Sequence, residues 1–152
     1  MSAEHLFEGS LQWQGHPADA PFDYENLHRT TRLEFEGGAS LTASAPAVFH
    51  GEDHHPNPET LMLASLMQCH FLTFMAVAIK SKLRVSGYSD RAVGRLGMKD
   101  GKMRFVEIVL RPSVSFDEPV DAERLAALHD KAHRNCFMSN SVNFPVRIET
   151  AA

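Results

Sequence analysis

Residues Leu61 to Ile79 form an almost unbroken apolar run in a chain of only 152 residues. Its length raises a membrane-spanning reading. Gln68, Cys69, His70 and Thr73 near its centre argue against it, because Gln and His are costly in lipid. A buried helix of a globular core is the stronger reading. Its start is well marked: Asn57 is a candidate N-cap, Pro58 suits the first helical position, and Glu59 places a negative charge in the first turn. Lys80 and Lys82 suit its C-terminal end, so the helix is expected to run to about Lys82. A helix apolar all round needs cover on every side, which a small domain supplies poorly. The expectation is a homodimer in which this helix packs across the interface.

The rest of the pattern mixes short strands with one further helix. Gly15 to Phe22 and Phe49 to Pro58 are polar or Pro/Gly-rich and read as loops. Leu27 to Glu36 alternates as a strand, Gly37-Gly38 is a turn signal, and Ala39 to Ala43 is a partner strand. Ser89 to Met98 and Met103 to Pro112 read as two strands joined by Asp100-Gly101, a strong hairpin signal. Asp121 to Asn135 carries Leu125, Leu128 and Ala132 on one helical stripe, and Cys136 falls one turn further along it. Pro145 ends any helix, and Val146 to Ile148 is a candidate last strand. Strands, long helix, hairpin, short helix and strand make an α+β order rather than a βαβ repeat.

A 43% hydrophobic chain of this length fits one domain over residues 1–152. A formal charge of −4 with scattered basic residues gives no electrostatic reason to expect nucleic acid. Met1 to Leu11 carries Glu4 and Glu8 and lacks the apolar core of a secretory signal. A cytoplasmic, reducing compartment is therefore expected, where a lasting structural disulfide is out of place.

That expectation bears on the two cysteines, Cys69 in the apolar run and Cys136 at the end of the second helix. Two packed cysteines far apart in sequence are a cross-link, a metal site or a redox couple, and a plain core cysteine is the alternative for each. The surroundings favour the redox couple. Gln68 and His70 flank Cys69 inside an apolar helix, which suggests that this part of it meets a site. A thiolate is the nucleophile, and attack on an O–O bond gives a sulfenic acid that a second thiol condenses to a disulfide. His129 and His133, at i and i+4, would complete a Cys₂His₂ zinc set with Cys69 and Cys136. Against this, the cysteines lack the short paired spacing of structural zinc sites. His54-His55 reads as polar loop surface.

A cationic neighbour would stabilise a Cys69 thiolate. Arg29 and Arg32 fall on opposite faces of the Leu27–Glu36 strand, and Glu59 is a candidate carboxylate to hold one of them. Ten residues of helix separate Glu59 from Cys69, a rise of ~15 Å. Glu59 therefore reaches a cysteine site only through a long arginine or from a neighbouring subunit.

The stretch Asn57-Pro58-Glu59-Thr60-Leu61, followed by Ala64-Ser65-Leu66-Met67-Gln68-Cys69-His70, resembles the first cysteine helix of the OsmC/Ohr family. These are osmotically inducible and organic hydroperoxide resistance proteins. Cys136-Phe137-Met138-Ser139, leading to Ser141-Val142-Asn143-Phe144-Pro145-Val146, is similar to the family's second cysteine segment. The resemblance covers Leu27 to the C-terminus. It implies an OsmC-like α+β fold, with antiparallel sheets around a long buried central helix in an intertwined dimer, and a thiol-dependent peroxidase without a cofactor. By this likeness Cys69 is the peroxidatic cysteine, Cys136 resolves it, and Glu59 holds the family's arginine, which Arg29 fits best with Arg32 as fallback. The implied partners are an organic hydroperoxide and a dithiol reductant, of the lipoyl type in some members. Two departures resemble a less characterised branch: Phe137 stands where many members have proline, and Gln68 and His70 frame the first cysteine. A redox sensor with little turnover and a zinc-stabilised structural domain are the rival readings.

Overall fold

The computed structural model describes residues 3–150 of the chain. Its contacts group it into two compact units, Met1–Leu61 and Met62–Ala152. The first holds a three-stranded antiparallel sheet in the order β1-β2-β3, formed by β1 (Gly9–Trp13), β2 (Thr31–Phe35) and β3 (Ser40–Ala43). No strand is expected over β1, where Leu11 and Trp13 alternate with Ser10 and Gln12 for only two apolar positions and all five residues are exposed. Strand β2 starts four residues later than the expected Leu27. The reason lies in side chains that take the backbone groups a ladder would need. The Trp13 indole donates to His28 O (2.8 Å), His28 N donates to His16 Nδ1 (3.1 Å), and Arg29 Nη1 donates to Leu27 O (2.8 Å). Between β2 and β3 the chain makes a single 3₁₀ turn over Glu36–Gly38, with Gly37 and Gly38 both at positive φ.

The long helix, α1, spans Pro58–Lys80. Its cap is reciprocal: Thr60 N donates to Asn57 Oδ1 (2.9 Å), and Asn57 N donates to Thr60 Oγ1 (2.9 Å). Two backbone donors that the helix cannot satisfy internally are met in this way. Asn57→Ala should therefore cost about 1 kcal/mol of stability, read as a lower urea midpoint at unchanged slope. An unchanged midpoint would show that the cap contributes nothing.

In the second unit, α1 supplies two separate cores. Toward its N-terminal half, Leu63, Leu66 and Met67 pack with Ile108, Leu110, Val146 and Phe105. Toward its C-terminal half, Phe74, Val77 and Ala78 pack with Leu128 and Ala132 of the second helix, α2 (Ala122–Asn135), and with Val85, Val114 and Phe116. Cys69 and His70 lie on the stretch between these two cores. Helix α2 starts on Asp121, whose side chain accepts from Arg124 N (2.8 Å).

The expected hairpin is present, and two strands that were not expected extend it. Its outer parts are β5 (Ala92–Lys99) and β6 (Lys102–Leu110), turning on Asp100 and Gly101 with φ of 52° and 74°. Its inner parts are β4 (Val85–Ser89) and β7 (Ser113–Phe116), which pair in a sheet of their own. The two pairs of strands part at Asp90-Arg91 and Arg111-Pro112. There Asp90 Oδ1 accepts from Arg111 N (2.8 Å), and Pro112 has no N–H to give a ladder. The last strand, β8 (Val146–Ile148), joins β6 in parallel, giving the order β5-β6-β8.

Only part of α1 is covered. Its buried residues are Leu66, His70, Phe74, Val77 and Ala78, while Leu72 is 56% and Ile79 67% exposed. By length and composition the helix would also cross a membrane. Its packed face and its central His70 are instead those of a core helix.

Candidate active site

Cys69 sits mid-helix on α1, half-buried, and Thr73 Oγ1 donates to its carbonyl (2.8 Å). Cys136 caps the C-terminus of α2 and is fully buried. The two free thiols are neighbours: burial pushes the Cys136 thiol up, and the adjacent Cys69 contributes in the same direction. After Cys136 the chain turns back over the site, and Met138 N donates to Cys69 Sγ (3.5 Å). Cys69 also lines an apolar groove of about 510 Å³ with Leu72, Ala76, Val77 and Phe137, and Lys80 and Lys131 border it. One thiol thus meets a groove open to a small apolar molecule. The other is held beside it, out of solvent.

Beside Cys69 lies a feature that periodicity could not show. His70 and His129 are both buried, their rings are stacked 5.3 Å apart, and His70 Nε2 shares a hydrogen bond with His129 Nδ1 (3.0 Å). Phe74 stacks on His129 at 4.4 Å. Burial pushes both imidazoles down to about 4, and His133 and His129 add to this for His70. The pair is therefore neutral at pH 7. One ring donates and the other accepts, while His70 Nδ1 and His129 Nε2 have no partner among the described residues.

The two arginines are placed very differently from one another. Arg32 lies on β2, exposed, and pairs with Glu34 (2.8 Å). Arg29 lies in the loop before β2. Its guanidinium donates to the Leu27 and Tyr24 carbonyls and stands 4.8 Å over the Tyr24 ring. Glu59 is half-buried on the first turn of α1, and its Oε2 is buried without a hydrogen-bond partner. Among the described residues no ion pair joins Arg29 to Glu59.

The Cys₂His₂ zinc set does not assemble among the described residues, where His129 is engaged with His70 instead. The donor cluster that does assemble is Glu52, His54 and His55, in the loop first read as polar surface.

A family model described as OsmC-like protein matches residues 51–151. Over 97% of this chain and all of the other, the fold is similar to an OsmC-like protein of unknown function from Vibrio cholerae, at 32% identity and a TM-score of 0.89. It is also similar to an organic hydroperoxide resistance protein OsmC from Legionella pneumophila (19% identity, TM-score 0.77, 99% and 100% covered). An organic hydroperoxide resistance protein from Elizabethkingia anophelis, with thiocyanate bound, gives the same identity and score over 99% of each chain. At such identity these last two show the fold alone. No curated protein matches the chain.

Proposed function

The chain belongs to the OsmC-like protein family, and from that premise we propose that it is a two-cysteine thiol peroxidase acting on organic hydroperoxides. The observation that carries this reading is the unequal thiol pair: Cys69 half-buried on an apolar groove, Cys136 buried at its side. The Cys69 thiolate attacks the distal peroxide oxygen, the O–O bond breaks, and the organic part leaves as an alcohol after taking a proton. Cys69 is then a sulfenic acid. The Cys136 thiol attacks that sulfur and releases water, leaving a Cys69–Cys136 disulfide. A dithiol of the lipoyl type returns both thiols and takes the disulfide itself. Burial holds the Cys136 thiol in its protonated form, which keeps it from competing with Cys69 for the peroxide.

Arg29 and Glu59 are the candidate positioning pair, with Glu59's unpartnered oxygen awaiting a guanidinium. Because Glu59 stands ten residues before Cys69 on one helix, that oxygen is ~15 Å of helix from the sulfur. An arginine must bridge that span, or the pair must come from a second chain. The exposed apolar side of α1 favours a homodimer, and a cytoplasmic setting suits a couple that is recycled by dithiols. Light scattering should give twice 16.9 kDa, and Ile79→Glu should shift the protein to monomer. A wild-type monomer would refute the dimer.

The test of the chemistry is one equivalent of cumene hydroperoxide added to the reduced protein. Intact mass should fall by two hydrogens, and a Cys69–Cys136 peptide pair should appear on digestion. A gain of one oxygen on Cys69, with no cross-link, would refute the resolving step.

A further inference from the structure

The first unit carries a cluster of donors that the thiol chemistry does not use. Glu52 Oε2 lies 3.5 Å from His54 Nε2 and 3.4 Å from His55 Nε2, and the three donor atoms all fall within 4.8 Å of one another. A zinc ion with bonds of ~2.0–2.1 Å in a tetrahedron separates its ligands by ~3.3–3.4 Å. The two measured distances are already close to that edge length.

A third imidazole faces the same carboxylate. His28 Nε2 stands 3.9 Å from Glu52 Oε1. Its other nitrogen, Nδ1, is 3.0 Å from Gly15 O. A carbonyl only accepts, so the hydrogen sits on Nδ1 and the Nε2 lone pair points at the carboxylate. Two lone pairs facing each other repel unless a cation lies between them. Metal-binding histidines are commonly oriented in this way, by donating the remote ring N–H to a carbonyl.

The backbone that carries this carboxylate is held in place. Glu52 N donates to Ser44 Oγ (3.1 Å), and Gly51 before it packs so closely that a Cβ there would lie 1.9 Å from Ala45 O. Three imidazoles gathered on one carboxylate are a poor set of ion pairs, because each added proton repels the next. They are a good donor set for a borderline cation. One carboxylate is too few for calcium or magnesium, whereas imidazole suits zinc, cobalt, nickel and copper.

We propose that Glu52, His54 and His55, with His28 as fourth donor, form a binding site for a zinc-class divalent cation, distinct from the cysteine pair. A bound ion ties the loop that leads into α1 to the residue beside Arg29, and so steadies the segment that presents Arg29.

The test uses untagged, full-length protein with Cys69→Ser and Cys136→Ser, so that no thiol competes, titrated with zinc at pH 8 by calorimetry. One ion per chain is expected. Removing an outer partner of a metal ligand costs ~10–100-fold in affinity, so His54→Ala with His55→Ala should cost at least the upper figure. Glu52→Gln, which keeps the shape, and His28→Ala should each cost at least ~10-fold. Cobalt in place of zinc should give d–d bands without a thiolate charge-transfer band in the wild-type chain. No binding by the thiol-free chain, or affinity unchanged in the His54/His55 variant, would overturn the proposal.

Discussion

Cys69→Ser should reduce the consumption of an organic hydroperoxide to the uncatalysed rate, a loss on the order of 10³-fold or more. The size follows from the chemistry, since no other described side chain at the groove is a nucleophile able to attack an O–O bond. Serine keeps the shape of the site but not the polarizable thiolate that Met138 N–H faces. Cys136→Ser should behave differently. Its first turnover should match the wild type, because Cys69 and the groove are intact. Sulfenic acid should then persist, trapped by dimedone, and cycling with dihydrolipoamide should fall sharply. Stopped-flow measurement of all three proteins separates the readings. Equal peroxide consumption by wild type and Cys69→Ser would sink the peroxidase hypothesis. A wild type that oxidises once and does not cycle in excess dithiol would make the protein a sensor instead.

How much of this was legible in the sequence depended on whether the signal was local. The Asn57 cap of α1 was, because Asn57 and Pro58 act on the first turn itself, although the return bond to Thr60 was not foreseen. So was the Asp100-Gly101 turn, since both residues must take positive φ there. The stripe from Leu125 to Cys136 correctly placed the second cysteine on the packed side of α2. What failed depended on partners distant in sequence. Strands β4 and β7 lie outside the expected arms Ser89–Met98 and Met103–Pro112, and the bond from Arg111 N to Asp90 where the two pairs of strands part joins residues 21 apart. Arg29 and Arg32 were assigned to opposite faces of one strand. Instead Arg29 lies before the strand, since its own guanidinium binds the backbone there. His70 reads as a polar intrusion marking a site, and its partner His129 only as a member of the zinc set that the cysteine spacing argues against. Their pairing spans 59 residues and has no periodicity to reveal it.

That pairing should dominate the protein's stability between pH 7 and pH 5. Both imidazoles are pushed from 6.5 to about 4 by burial, so the native chain binds fewer protons there than the unfolded chain. Stability therefore rises with pH across this window. It is fully present above about 6.5, is lost as pH falls toward 4, and changes no further from this source below that. A shift of this size is on the order of 3 kcal/mol for each ring that titrates independently. The two share one hydrogen bond, so the pair should contribute less than twice that. The charged neighbours do not reverse the sign. His133 deepens the shift of His70, and Asp130 only partly offsets that of His129. Glu107, held down by Arg147 and Arg95, acts below its ordinary value of 4.5, while Asp90, raised by burial, opposes the histidines. Unfolding free energies from urea titrations at pH 7.5 and pH 5 should differ by a few kcal/mol. His129→Leu should roughly halve that difference. It should also lower stability at pH 7.5 by ~1–3 kcal/mol, since His70 Nε2 is left buried without a partner. Equal midpoints at both pH values would mean that the buried pair does not govern acid unfolding.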